Sequence, residues 1–305
     1  SRLPYRGRFA PSPTGPLHFG SLVAAVASYL DARHHDGTWL LRIEDLDPPR
    51  EKKGAADDIL RTLETFGFEW DECVERQSRR SDRYAAFVDD LMRDGAAYAC
   101  TCSRREIAMI APAGAEGPVY PGTCRTGPRK HAKRLAVRVL THARPIPFDD
   151  RIQGPCAQQV QRDVGDFVIR RADGLYSYQL AVVADDAAQQ ITHVVRGADL
   201  LLSTPRQIHL QSLLGLQQPC YAHIPVVLDA SGRKLSKSDA AHPVDSRRPL
   251  DSLRAALAFL GQPPPETGDV REFWDAAASA WVLDKVPRPM QAGYTSPPGN
   301  QPRRT

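Results

Sequence analysis

No stretch of the 305-residue sequence is apolar for long enough to span a bilayer, which excludes a membrane-crossing helix. The first ten residues, SRLPYRGRFA, lack the apolar core of a secretory signal, so a cytoplasmic location is the default expectation. No internal repeat is visible, which excludes a solenoid. Charge of one sign is also scarce. The formal net charge is only +4, which permits a polyanionic partner without arguing for one. Cysteines number six, at 73, 100, 102, 124, 156 and 220, and in a cytosolic chain they are expected to be reduced rather than bridged.

What is there reads as an ordinary globular chain, 42% hydrophobic and 25% charged, long enough for one large or two modest domains. GRFAP (7–11) predicts a short strand, and LHFGSLVAAVASYLDARHH a helix stopped by Gly37. TWLLRIED suits a buried parallel strand, while AADDILRTLETFG and RYAAFVDDLMRDG read as amphipathic helices. Strand and helix in alternation signal a doubly wound α/β fold, whose ligands bind at the carboxyl ends of the strands. Residues from about 98 to 162 break that rhythm with Cys, Pro, Gly and basic residues, as an insertion would. The α/β pattern resumes with DFVIRR (166–171), SYQLAVVADDAAQ, ITHVVRG, TPRQIHLQSLLG and IPVVLD (224–229). Helical stretches follow near 250–261 and 270–283, and the proline-rich last twenty residues read as a loose tail.

Three constellations carry chemistry. In APSPTGPLHFGSL (10–22) a loop with His18, Gly15 and Gly20 opens a helix, where unpaired N–H groups and the helix dipole favour phosphate. Taken alone, the loop is equally compatible with a stiff Pro-rich turn. GRKLSKSD (232–239) sets Lys234 and Lys237 in a glycine-started loop, a cationic arm suited to polyphosphate or merely a solvated surface loop. CTC (100–102) with YPGTC (120–124) supplies three thiols, three of the four ligands of a structural zinc, and leaves the fourth open.

PLHFG followed by KLSKS more than 200 residues later resembles the two signatures of class I aminoacyl-tRNA synthetases. The fuller RFAPSPTGPLHFGS with LLRIEDLD resembles their glutamate branch, over residues 5 to about 260. The resemblance implies a Rossmann-type catalytic domain that activates an amino acid with ATP, with Mg²⁺ as the expected counter-ion; no membrane partner is expected. Where the class signature often ends in a second histidine this chain has Ser21, which leaves His18 as the motif's only imidazole. His18 and Lys237 are then the catalytic candidates, and His18, Gly20, Lys234 and Lys237 the ATP-binding ones. Arg8, Ala10, Ser12, Glu44, Tyr178 and Arg196 match the branch's glutamate contacts. Two arginines and a carboxylate complement the two carboxylates and one ammonium of glutamate.

Short members of the branch carry C-x-C followed by Y-x-x-x-C, which implies a zinc held by Cys100, Cys102, Tyr120 and Cys124, with His131 or water as the alternative fourth ligand. The implied organisation is a catalytic domain in two halves (1–97 and 163–240) around a zinc-containing insertion (98–162), then a short helical part (241–285) and a disordered tail (286–305). About 65 residues follow Ser238, too few for an anticodon-binding domain. Length and cysteines together resemble the truncated paralogues that attach glutamate to the queuosine base at the wobble position of tRNA(Asp), rather than charging a 3′ end. Glutamate, ATP and queuosine-bearing tRNA(Asp) are the expected partners, the basic run 125–134 a candidate grip on the stem, and a monomer the expected state. Two alternatives are a truncated synthetase that charges an acceptor end and a non-catalytic tRNA-binding module.

Overall fold

The computed structural model describes residues 4–114, 116–228, 232 and 242–289, and the backbone of 291–293. Strand β1 (Arg6–Phe9) runs parallel to β2 (Thr38–Ile43), which continues to β3 (Glu75–Arg76). A second ladder has the order β11 (His193–Gly197), β12 (Cys220–Ile224), β8 (Ile146–Asp150), β9 (Gly154–Gln158), with all but the last pairing parallel. The two ladders meet where the Thr192 amide donates to the Arg6 carbonyl at 2.9 Å, laying β11 beside β1.

Alternation along these strands feeds two cores. Trp39, Leu41, Val195 and Ala222 pack with helix α1 (Phe19–His34), whereas Leu40, Val194 and Tyr221 pack with α3 (Ser81–Arg93) and α6 (Tyr178–Ala188). Helix α1 is apolar almost all round because it lies between the strands and the C-terminal helices α8 (Pro249–Phe259) and α9 (Val270–Ala280). Ile59 and Leu63 of α2 (Ala55–Thr65) join the α1 core, and Ile208 and Leu210 of α7 (Thr204–Leu213) join the other. No helix among the described residues is long and apolar enough to cross a membrane.

The cysteine-bearing stretch forms its own antiparallel sheet from β4 (Ala97–Cys100), β7 (Ala136–Val139) and β10 (Val168–Arg170). Around it lie α4 (Arg104–Ile110), the short hairpin β5 (Ala113–Gly114) and β6 (Gly117–Pro118), and α5 (Val160–Asp163).

Four features differ from the sequence expectation. DFVIRR joins this antiparallel sheet rather than resuming the parallel one, because its partner is β7. Conversely, β8 falls within 98–162 yet extends the parallel sheet, its inward Ile146, Phe148 and Asp150 alternating with exposed neighbours. Helix α1 ends before Gly37. Asp36 takes the left-handed turn (φ 51°), and Gly37 is needed because any Cβ there would meet the Tyr5 Cβ at 2.7 Å and the Tyr5 carbonyl oxygen at 2.8 Å. The segment expected as a tail is partly ordered, since Val286 is buried and β14 (Gln291–Gly293) pairs in parallel with β13 (Val226–Leu228).

Candidate active site

The carboxyl ends of β1, β2, β11 and β12 open into one cavity of about 530 Å³, a size suited to a small ligand. The loop after β1 forms its rim and is held by backbone hydrogen bonds. Glu44 donates its amide to the Pro11 carbonyl at 2.9 Å, and Lys52 to that of Pro13 at 3.0 Å. Prolines at 11, 13 and 16 restrict φ, so these few bonds fix the whole turn. His18 caps α1, its Nδ1 accepting from the Ser21 amide at 3.3 Å with extended backbone (ψ 169°). A Cβ on Gly20 would lie 3.3 Å from that ring, so the glycine first makes room for the imidazole. Described residues before and after Lys234 and Lys237 in the chain lie here. Val226 and Val227 line the cavity, and Val244 donates its amide to the Leu17 carbonyl at 3.0 Å. Lys234 and Lys237 themselves lie outside the described residues.

The charged floor is built from buried groups. Arg8, 3% exposed, sends Nε and Nη2 to the two oxygens of Asp186 at 3.0 and 3.1 Å. Arg42, fully buried, also reaches Asp186, at 2.8 Å, and donates to Gln189 at 2.6 Å. These two guanidinium groups overcome the effect of burial and hold the Asp186 carboxyl below the usual range. Glu44 is different. Its side chain is 7% exposed, Arg42 stands 3.6 Å away, and its Oε1 has no hydrogen-bond partner. Burial pushes its carboxyl up to about 7 against the pull of Arg42 and Arg8. Arg196, 5% exposed, donates from Nε to His223 Nε2 at 3.0 Å and from Nη2 to Thr204 at 2.9 Å, leaving buried Nη1 without a partner. Tyr178 completes this wall as the first residue of α6, which Ser177 caps by accepting from the Leu180 amide at 3.3 Å. Two opposite-charge groups with unmatched atoms thus border one cavity, an arrangement that stabilises the isolated protein poorly and suits a zwitterion.

A second cluster lies in the antiparallel sheet. Sγ atoms of Cys100, Cys102 and Cys124 lie within 4.8 Å of one another, and Cys102 and Cys124 are 3.6 Å apart. Sulfurs ~2.3 Å from a tetrahedral zinc would be separated by ~3.8 Å, so the thiol set fits that ion. The Tyr120 hydroxyl sits 3.4 Å from Cys100 and 3.7 Å from Cys102, whereas His131 is exposed and outside the group. Arg138 stacks on the Tyr120 ring at 3.8 Å and donates to Cys100 at 3.3 Å, a cation facing groups that would be anionic on a metal. Burial raises the Cys124 thiol, but bonds from Thr101 and Arg129 more than offset it, to about 6.

Residues 5–260 match the family of class I tRNA synthetases (E and Q), catalytic domain. A glutamyl-Q tRNA(Asp) synthetase of Chromobacterium violaceum is 54% identical over 93% of this chain and 95% of its own length. One from Aromatoleum aromaticum is 56% identical over 95% and 92%. The chain belongs to the glutamyl-Q tRNA(Asp) synthetase family. A solved glutamate tRNA ligase of Elizabethkingia meningosepticum, in complex with its amino acid, superposes with a TM-score of 0.79 at 26% identity, covering 95% of this chain and 67% of that one. The α/β class I catalytic fold expected from the motifs is therefore the fold of this glutamyl-Q tRNA(Asp) synthetase family member.

In this family member the structure brings Arg8, Ala10, Ser12, His18, Gly20, Glu44, Tyr178 and Arg196 to one cavity. Sequence reasoning missed Arg42, Asp186 and His223 behind them. A signal existed for the first two, since a charge within an apolar strand or on a buried helix face must have a partner. The basic run 125–134 is less free than its composition implies. Arg125 forks onto buried Asp166 at 2.7 Å with both Nε and Nη2, and Lys130 pairs with Glu106 at 2.6 Å. Lys133 and Arg134 are exposed.

Proposed function

We propose that this chain activates glutamate with ATP and transfers it to the queuosine base of tRNA(Asp). The observation that carries the reading is that Arg196 and Glu44 line one cavity and that each has a buried polar atom, Nη1 and Oε1, without a hydrogen-bond partner. An arginine suits a carboxylate of glutamate, and Glu44 suits its ammonium. Arg8, held by Asp186, supplies a second positive charge for the other carboxylate.

In the first step a glutamate carboxylate oxygen attacks the α-phosphorus of ATP and pyrophosphate leaves, giving glutamyl-adenylate. His18, the N-terminal amides of α1 and Lys237 stabilise charge on the phosphates, with Gly20 and Lys234 in the nucleotide site and Mg²⁺ accompanying ATP. In the second step a hydroxyl of the queuosine cyclopentenediol attacks the adenylate carbonyl and AMP leaves. Cys100, Cys102, Cys124 and Tyr120 would hold a structural zinc, which would contribute folding energy rather than chemistry. The stretch 98–162 serves as the metal-stapled part, with Lys133 and Arg134 facing stem phosphates.

The test is acylation of purified tRNA(Asp), with and without queuosine, by labelled glutamate, alongside glutamate-dependent ATP–pyrophosphate exchange. Transfer only to the queuosine-bearing tRNA is expected. Equal product on tRNA lacking queuosine, or on the 3′ end, overturns the reading.

A further inference from the structure

Three parallel strands place a carboxylate, an imidazole and a guanidinium side by side at their carboxyl ends. Asp150 ends β8, His223 is the penultimate residue of β12, and Arg196 is the penultimate residue of β11. Arg196 and His223 are direct register partners. His223 Nδ1 lies 2.5 Å from Asp150 Oδ2, and its Nε2 lies 3.0 Å from Arg196 Nε. Arg196 Nε always carries a hydrogen and Asp150 accepts. His223 is then neutral, with its proton on Nδ1 and its lone pair on Nε2. An imidazolium would turn Nε2–H against the Arg196 N–H.

Asp150 is itself over-determined. Its Oδ1 accepts from the amides of Ile152, Gln153 and His223 at 3.0, 2.9 and 3.1 Å. His223 and Thr204 are fully buried. The Thr204 hydroxyl accepts Arg196 Nη2, so every nitrogen of the guanidinium except Nη1 is committed to a fixed acceptor. Burial, with the Arg196 charge against it and the Asp150 hydrogen bond only partly restoring it, takes the His223 imidazole down to about 4. The charged groups acting on it are Asp150, Arg196 and Asp199.

We infer that His223, oriented by Asp150, is a positioning residue that fixes Arg196 so that its remaining nitrogen meets a carboxylate of the amino-acid substrate. This rests on the glutamate reading above and extends it to two residues outside the cavity lining. A chain so fixed loses little side-chain freedom when the anion binds, which favours affinity for glutamate without touching ATP.

The experiment compares two variants in ATP–pyrophosphate exchange. His223→Gln keeps an acceptor near Nε2, and His223→Asn keeps only a partner for Asp150. The expected result is a glutamate KM raised tenfold or more in H223N, largely retained in H223Q, with the KM for ATP within twofold in both. Equal glutamate KM in the two variants, or a parallel rise for ATP, overturns the inference. An independent readout uses the wild-type protein. ¹⁵N NMR of His223 should report the neutral Nδ1–H tautomer at pH 7, and an imidazolium or an Nε2–H tautomer overturns the inference even where the variants do not fold. A wild-type protein without glutamate-dependent exchange overturns the proposed function instead, while the tautomer still decides the arrangement of His223 and Arg196.

Discussion

Two buried carboxylates, Asp31 and Glu44, stand within the same α/β domain and behave in opposite ways. Asp31, fully buried, accepts from the Tyr5 hydroxyl at 2.5 Å, from Arg151 at 2.6 and 3.3 Å, and from the Trp281 indole at 3.1 Å. Burial alone would raise its carboxyl, but those donors bring it below the usual range. Glu44 is nearly as buried and faces two arginines, yet has an oxygen without a hydrogen bond and is pushed up to about 7. What separates a structural anion from a binding anion here is the number of donors aimed at it. Depth in the protein is similar for both.

The comparison breaks most sharply through Glu44 and Arg196. Replacing either Glu44 with Gln or Arg196 with Ala should lower kcat/KM for glutamate in pyrophosphate exchange by about a thousandfold, ~4 kcal/mol of transition-state stabilisation. Asp31→Ala should do the reverse. A loss of about 3–5 kcal/mol of stability is expected from a buried pair broken on one side, read by urea denaturation, with exchange per folded molecule unaltered. If D31A abolished exchange in folded protein, the division between the two sites would fall.

Stability should separate them again, more weakly, through pH. The folded pKa of Glu44 lies above its unfolded value, so the native state keeps a proton that the unfolded chain releases. That contribution is fully present below the unfolded pKa and is lost as pH rises through about 7. E44Q should therefore be more stable than wild type above pH 7 while failing to bind glutamate. The glutamate KM of the wild type should also fall as pH rises through about 7, and denaturation and exchange series across pH would show both trends. The smallest effect is expected from K133A/R134A, a flatter salt dependence of tRNA binding by about one or two phosphate contacts, measured by titration at several salt concentrations.

Which parts of this could be read in the chain follows from how local the signals are. The loop 10–22 and Glu44 were legible because stiff prolines, glycines and a carboxylate sit in short, distinctive runs. Cys100, Cys102 and Cys124 were legible for the same reason, and the structure does gather their sulfurs. Asp186 was not, since its partners Arg8 and Arg42 lie more than 140 residues away and nothing nearby in sequence names them. Nor was β14, whose proline-rich setting argues for a tail while β13, about 65 residues earlier, supplies its backbone partner.

The contacts around Asp31 also bear on how the molecule is made. Its indole partner Trp281 lies 250 residues downstream, so at ~5–20 residues per second the nascent carboxylate waits roughly 12–50 s for that donor. Arg151 arrives about halfway through, 120 residues on. Helix α1, apolar on nearly every side, stays without its covering helices α8 and α9 over the same interval. The emerging chain therefore carries this apolar helix uncovered until residues 249–280 have been made, and the donor set of Asp31 is complete only when Trp281 follows.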